Sequence, residues 1–77
     1  MTTSTRRLLV VDDNPDSRLL ARIALEDTAF AVVGEAATPE EGVRLARQLQ
    51  PDAVLLDIVP RDDEGLRAVR PIQEAAA

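Results

Sequence analysis

The sequence has 77 residues, enough for one small domain with a marginal core. Its 14 acidic and nine basic residues give a net charge of −5, which argues against binding to nucleic acid or to anionic membranes. All nine basic residues are arginines and the chain has no lysine, histidine or cysteine, which excludes a lysine nucleophile, an imidazole base, a disulfide and a thiolate or histidine metal site.

The amino-terminal residues carry a basic pair but no long apolar stretch. Residues 1–6 are expected to form a flexible tail, followed by a single domain over residues 7–77. Because nothing in the tail is apolar enough for a signal peptide or a membrane span, we expect a soluble, cytoplasmic protein without a membrane partner.

The first strand and the first helix are predicted by an apolar run and a helix-start signal. Residues 7–12 contain four consecutive apolar residues before a final aspartate, which is typical of a strand buried on both faces. Asn14 can cap a helix whose first residue is Pro15. The apolar residues of this helix recur at helical spacing: Leu19, Leu20, Ile23 and Ala24.

Two further strands follow, separated by a second helix. Residues 30–36 predict the second strand. Thr38 and Glu41 form a capping box, which starts a helix that Pro51 ends. Residues 53–57 are apolar up to a final aspartate and therefore predict a third buried strand.

A third helix is predicted from Gly65, with Leu66, Val69 and Ile72 on its apolar side. Pro71 would lie inside this helix and remove one hydrogen bond, so we expect a kink or an early end there. The alternation of strands and helices predicts an α/β fold, an open parallel sheet with right-handed crossovers.

Carboxylates follow two of the predicted strands. Asp12 and Asp13 stand at the exit of the first strand, and Asp57 closes the third. If these strands are neighbours, the three carboxylates meet beyond the carboxyl ends of the sheet, where open parallel sheets bind ligands. Such a group suits Mg²⁺. An acidic pair alone is more often an ordinary helix-start feature, so it is Asp57 that favours a metal site.

The other charged residues are interpreted as solvent-exposed. Residues 62–64, two aspartates and a glutamate, favour a solvated acidic loop over a second metal site. Six arginines are expected on outer helix faces, although an arginine could also hold a phosphate or a partner's carboxylate. These six are Arg18, Arg22, Arg44, Arg47, Arg67 and Arg70.

The segments LLVVDDNPDSRLL and VVGEAATPEEGVRLARQLQPDAVLLDI resemble the receiver domain of two-component response regulators over about residues 7–58. The acidic pair, the GEA stretch at residues 34–36 and the PDAVLLDI strand lie at the spacing seen in that family. The resemblance implies a flavodoxin-like, receiver-like fold that is truncated after the third helix, with three strands in the order 2-1-3.

The resemblance also implies roles for four residues. By this resemblance Asp57 would be the phosphoacceptor, Asp13 a direct Mg²⁺ ligand and Asp12 a ligand through a water molecule. The backbone carbonyl of Val59 is a further ligand. The implied partner is a histidine kinase or a phosphotransfer protein.

Two functions stay open because the family's fourth and fifth strands, with a hydroxyl residue and a lysine, have no counterpart in the 77 residues. The first is a phosphoacceptor in two-component phosphorelay signal transduction. The second is a degenerate or truncated receiver that acts as an oligomerisation or protein-binding module without phosphorylation. A hydrolase is disfavoured, since only carboxylates could act as acid or base, and the chain is not expected to be an enzyme.

The shortened fold has an expected consequence for assembly. The strand at residues 53–57 becomes an edge strand that is apolar on both faces. On the first helix, Leu19, Leu20 and Ile23 are left without a neighbouring element to cover them. Because such surfaces are templates for pairing, we expect a homodimer through the third strand, the uncovered face of the first helix or the third helix, about a two-fold axis.

Overall fold

The computed structural model describes residues 5–57 and 69–76 and has three parallel strands and three helices in that part of the chain. In chain order these are β1 (Arg6–Asp12), α1 (Pro15–Ala24), β2 (Phe30–Ala36), α2 (Pro39–Leu49), β3 (Ala53–Asp57) and α3 (Val69–Ala75). The strands lie in the order β2-β1-β3. The predicted open parallel sheet with the order 2-1-3 is confirmed, and β1 begins one residue earlier than expected.

Side-chain caps start the two crossover helices. The Asn14 side chain accepts a hydrogen bond from the Asp16 N–H at 2.9 Å. The Thr38 Oγ1 accepts one from the Glu41 N–H at 3.2 Å, and the Glu41 Oε1 accepts one from the Ala37 N–H at 3.0 Å. These bonds satisfy backbone donors in the first turn of each helix and, at Ala37, just before it, so both predicted helix starts are confirmed.

The hydrophobic core lies on the side of the sheet that α2 and α3 cover. Its buried residues are Leu9, Val11, Ala36, Ala46, Ile72 and Ala75. Gly42 of α2 is buried against β1, where a Cβ atom on this glycine would lie 2.9 Å from the Val11 Cγ2. The missing side chain therefore allows the close approach of α2 to the sheet.

The other side of the sheet is covered by α1. Leu8 and Val10 of β1 are buried, yet none of the residues of α1, all of which the structure describes, is itself buried. Leu19, Leu20 and Ile23 are 55%, 65% and 52% exposed. The expected uncovered face of the first helix is confirmed. No helix within the described ranges is long and apolar enough to cross a bilayer.

The third helix differs from the expectation at Pro71. It continues through Pro71 to Ala75, so the expected early end there is wrong. Pro71 lies in the first turn of the described helix, and burial of Ile72 in the core holds the helix in place beyond it. The carbonyl expected to clash with the proline ring belongs to Arg67, which lies outside the described residues. The predicted helix start at Gly65 and the acidic loop at residues 62–64 lie outside them as well.

Candidate functional site

The carboxyl ends of β1 and β3 bring two of the predicted site residues together. Asp12 and Asp57 are partners in the parallel register of these strands. Asp12 is only 5% exposed, whereas Asp57 and Asp13 are exposed. The expected neighbourhood of the first and third strands is therefore confirmed, and it places one buried and one accessible carboxylate side by side.

A local hydrogen bond orients the buried carboxylate. The Asp12 Oδ1 accepts a hydrogen bond from the Asn14 N–H at 2.9 Å. No other donor to this side chain is present in the part of the chain that the structure describes. Since an ionised carboxylate can accept several hydrogen bonds or a cation, Asp12 keeps capacity for water or a metal.

Two arginines of α1 converge on Glu35 of β2, the neighbouring strand. The Arg18 Nε lies 3.3 Å from the Glu35 Oε1, and the Arg22 Nη1 lies 2.5 Å from the Glu35 Oε2. The Arg18 Nη1 also donates a hydrogen bond to the backbone carbonyl of Asp12 at 2.6 Å. The guanidinium of Arg18 therefore joins α1 to the carboxyl ends of both β1 and β2.

The position of Arg18 corrects one expectation. Its side chain is only 18% exposed, so the prediction that it lies on an outer helix face is wrong. The prediction does hold for Arg22, Arg44, Arg47 and Arg70, which are exposed, while Arg67 lies outside the described residues. Glu35 was noted in the sequence only within the GEA stretch. Arg18 and Arg22 lie one helical turn apart, and this spacing is the only sequence signal for a shared carboxylate partner. It becomes informative only once the strand that faces α1 is known.

The carboxylates at this edge of the sheet are oxygen donors of the kind that Mg²⁺ prefers. This ion takes one or two carboxylates and keeps several water molecules. Asp12 and Asp57 supply two carboxylates from neighbouring strands, and Asp13 follows directly in the loop. Within residues 5–57 and 69–76, no three acidic residues are grouped closely enough to hold a metal by themselves. The ligand set stays a prediction, and Val59, one of its members, lies outside the described residues.

Comparison with known proteins agrees with this architecture. The family model of the response regulator receiver domain matches residues 8–77. The probable C4-dicarboxylate response regulator DctR of Halalkalibacterium halodurans is 39% identical over 69 residues, which are 88% of this chain and 30% of that protein. Protein-glutamate methylesterase/protein-glutamine glutaminase 4 of Myxococcus xanthus is 48% identical over 68 residues, which are 86% of this chain and 19% of that protein.

A solved structure has the same fold. The response regulator domain of Thermotoga maritima CheB superposes with a TM-score of 0.78 at 34% sequence identity, over 94% of this chain and 55% of that chain. The chain thus spans less than a third of the two curated relatives and about half of the solved domain. By its sheet order, its acidic strand ends and the family match over residues 8–77, the chain belongs to the receiver domains of two-component response regulators.

Proposed function

We propose that this receiver domain accepts a phosphoryl group on Asp57 in two-component phosphorelay signal transduction, with Mg²⁺ bound at Asp12 and Asp13. One observation carries the proposal: Asp57 is exposed at the carboxyl end of β3, in register with the buried Asp12. A phosphoacceptor must be accessible to its donor, and a metal ligand beside it must be held in place. The two carboxylates meet these requirements.

In the proposed phosphoryl transfer, the main role of the protein is to position the reacting groups. An oxygen of the Asp57 carboxylate forms a bond to phosphorus while the P–N bond of a donor phosphohistidine breaks. The electron pair of that bond returns to the imidazole nitrogen, which takes up a proton from solvent. Mg²⁺ at Asp12 and Asp13 would lessen the repulsion between the carboxylate nucleophile and the anionic phosphoryl group. The chain contributes the register of β1 and β3, which keeps nucleophile and metal ligands together.

The proposed donor is a histidine kinase or a phosphotransfer protein, since both carry phosphohistidine. The cytoplasmic location expected from the sequence stays a prediction. The activities named in the longer relatives belong to those proteins, and the present chain is proposed only as the signal-accepting part.

A second function, as an oligomerisation module, is favoured by the uncovered apolar surface. Leu19, Leu20 and Ile23 of α1 are more than half exposed, and Leu55 of the edge strand β3 is 44% exposed. An apolar cleft near the amino ends of the strands shares Leu55 with this surface; its lining also includes Leu8, Leu25, Phe30 and Ala53. We propose a homodimer in which β3 and α1 pack on the same elements of a second copy about a two-fold axis.

Acceptor competence is tested by mass spectrometry of the intact protein. The chain is incubated with a small acyl phosphate and Mg²⁺, and the wild type is expected to gain the mass of one phosphoryl group. The gain should be lost in Asp57→Asn. Asp27→Asn is the matched control, because Asp27 is exposed and has a φ of 63°, which asparagine tolerates. A wild type without the gain, or an equal gain in Asp57→Asn, contradicts the proposal.

A further inference from the structure

We propose that Arg18 is a positioning residue for the Mg²⁺ site, because it fixes the peptide group that joins Asp12 to Asp13. The inference rests on the proposed function of that site, and it adds to the site a residue that is not one of the two aspartates. Arg18 contacts neither the metal nor the phosphoryl group in this proposal. It acts through the backbone.

The hydrogen bond from the Arg18 Nη1 to the Asp12 carbonyl, at 2.6 Å, restrains a planar unit. The carbonyl of Asp12 and the N–H of Asp13 belong to the same peptide plane. Holding that carbonyl therefore sets the direction in which the chain continues into Asp13. Asp13 is exposed, so in this proposal the restraint on its peptide group limits where its backbone, and with it its carboxylate, can lie relative to Asp12.

Arg18 holds the same loop a second time through its own backbone. The Arg18 N–H donates to the Asn14 carbonyl at 3.1 Å, as the first hydrogen bond of α1. The Asn14 N–H in turn donates to the Asp12 Oδ1 at 2.9 Å. Arg18 therefore binds the loop at residues 12–14 through both its side chain and its backbone N–H.

Glu35 keeps the guanidinium in place. Its Oε1 lies 3.3 Å from the Arg18 Nε, and its Oε2 is occupied by Arg22. The planar guanidinium can serve the Asp12 carbonyl and the Glu35 carboxylate at once because its donors diverge at fixed angles. An ammonium group carries the same charge but lacks this fork. The contact geometry therefore calls for arginine and not for any cation.

Charge and geometry make opposite predictions for the loss of Arg18. Removal of a positive charge beside the acidic pair should tighten Mg²⁺ binding, because repulsion between the two cations is relieved. Removal of an anchor should weaken it, since outer residues that orient metal ligands typically contribute about 10-fold or more to metal affinity. The direction of the change therefore distinguishes a positioning role from a purely electrostatic one.

The test is a titration with Mg²⁺ alone, followed by the amide chemical shifts of the ¹⁵N-labelled chain. Arg18→Gln is expected to weaken Mg²⁺ binding about 10-fold. Arg18→Lys, which keeps the charge, is expected to weaken it as well. In the metal-free protein the amide signal of Asp13 should shift in both variants. Arg22→Gln is the matched control. Arg22 also contacts the Glu35 carboxylate, but it makes no hydrogen bond to Asp12, so the Mg²⁺ affinity of this variant should equal or exceed that of the wild type.

The possible results separate this inference from the function on which it rests. If the wild type does not bind Mg²⁺, the proposed function fails. If the wild type binds Mg²⁺ and Arg18→Gln binds it equally well or more tightly, the positioning role is overturned. Should Arg18→Gln fail to fold, Arg18→Lys decides: weaker binding with the charge retained supports the proposal, and unchanged binding overturns it.

Discussion

Replacement of Gly42 by alanine puts a methyl group between α2 and the sheet. The added Cβ would lie 2.9 Å from the Val11 Cγ2 and 3.2 Å from its Cγ1. Ordinary contacts between carbon atoms are about 3.5–4.0 Å, so the methyl group overlaps with Val11. Val11 cannot easily give way, because it is 1% exposed, has a branched Cβ and lies in the central strand, paired with both neighbours.

The size of the effect follows from two opposing contributions. Overpacking of a well-packed core costs about 1–3 kcal/mol. Alanine in place of glycine inside a helix contributes about 1 kcal/mol in the other direction. We therefore expect Gly42→Ala to lower the free energy of unfolding by about 1 kcal/mol, which in a domain of this size lowers the melting temperature by about 4–8 °C.

Thermal unfolding followed by circular dichroism measures this difference. Gly34→Ala in β2 is the matched comparison: its Cβ would lie 3.3 Å from the Leu9 Cδ1 and 2.7 Å from the Leu49 Cδ1, which is the far end of a flexible side chain. Because that end can move to another rotamer, Gly34→Ala should change the melting temperature less than Gly42→Ala does. A Gly42→Ala variant as stable as the wild type would show that α2 can shift on the sheet, and would contradict the predicted overlap with Val11.

Two further predictions concern the metal and the assembly. If Mg²⁺ binds with a Kd of about 1 mM, then about 10 mM Mg²⁺ should stabilise the fold by about 1.4 kcal/mol, seen as a rise in melting temperature. Asp13→Asn should abolish that rise and stabilise the metal-free protein by relieving repulsion with Asp12, and the opposite result would contradict the metal site. Light scattering over a dilution series should show a dimer that Leu55→Lys dissociates, since Leu55 lies on the edge strand. A folded wild-type monomer at micromolar concentration would contradict the dimer.

The order of the elements was predictable because its signals are local. Asn14 and Thr38 cap helices through bonds that reach only two or three residues along the chain. The apolar runs that end at Asp12 and Asp57 mark strands in the same way. From these signals, together with the family resemblance, the parallel sheet, its 2-1-3 order and the pairing of the two aspartates could be expected. The exposure of Leu20 could be expected as well, because a three-stranded fold leaves this face of the first helix uncovered.

Contacts between residues far apart in the chain were decided only by the tertiary structure. A register shift between Leu8 and Leu9 places Glu35 opposite Val10, which brings this carboxylate to the face of the sheet that α1 covers. Arg18 turns towards it and towards Asp12, although its place in the sequence predicts an outer helix face. Likewise α3 continues beyond Pro71, which lies in the first turn of the described helix, and its Ile72 is buried in the core. Each outcome depends on how strands align and how helices rotate on the sheet, and this alignment is set by the packing of the whole core, not by neighbouring residues in the sequence.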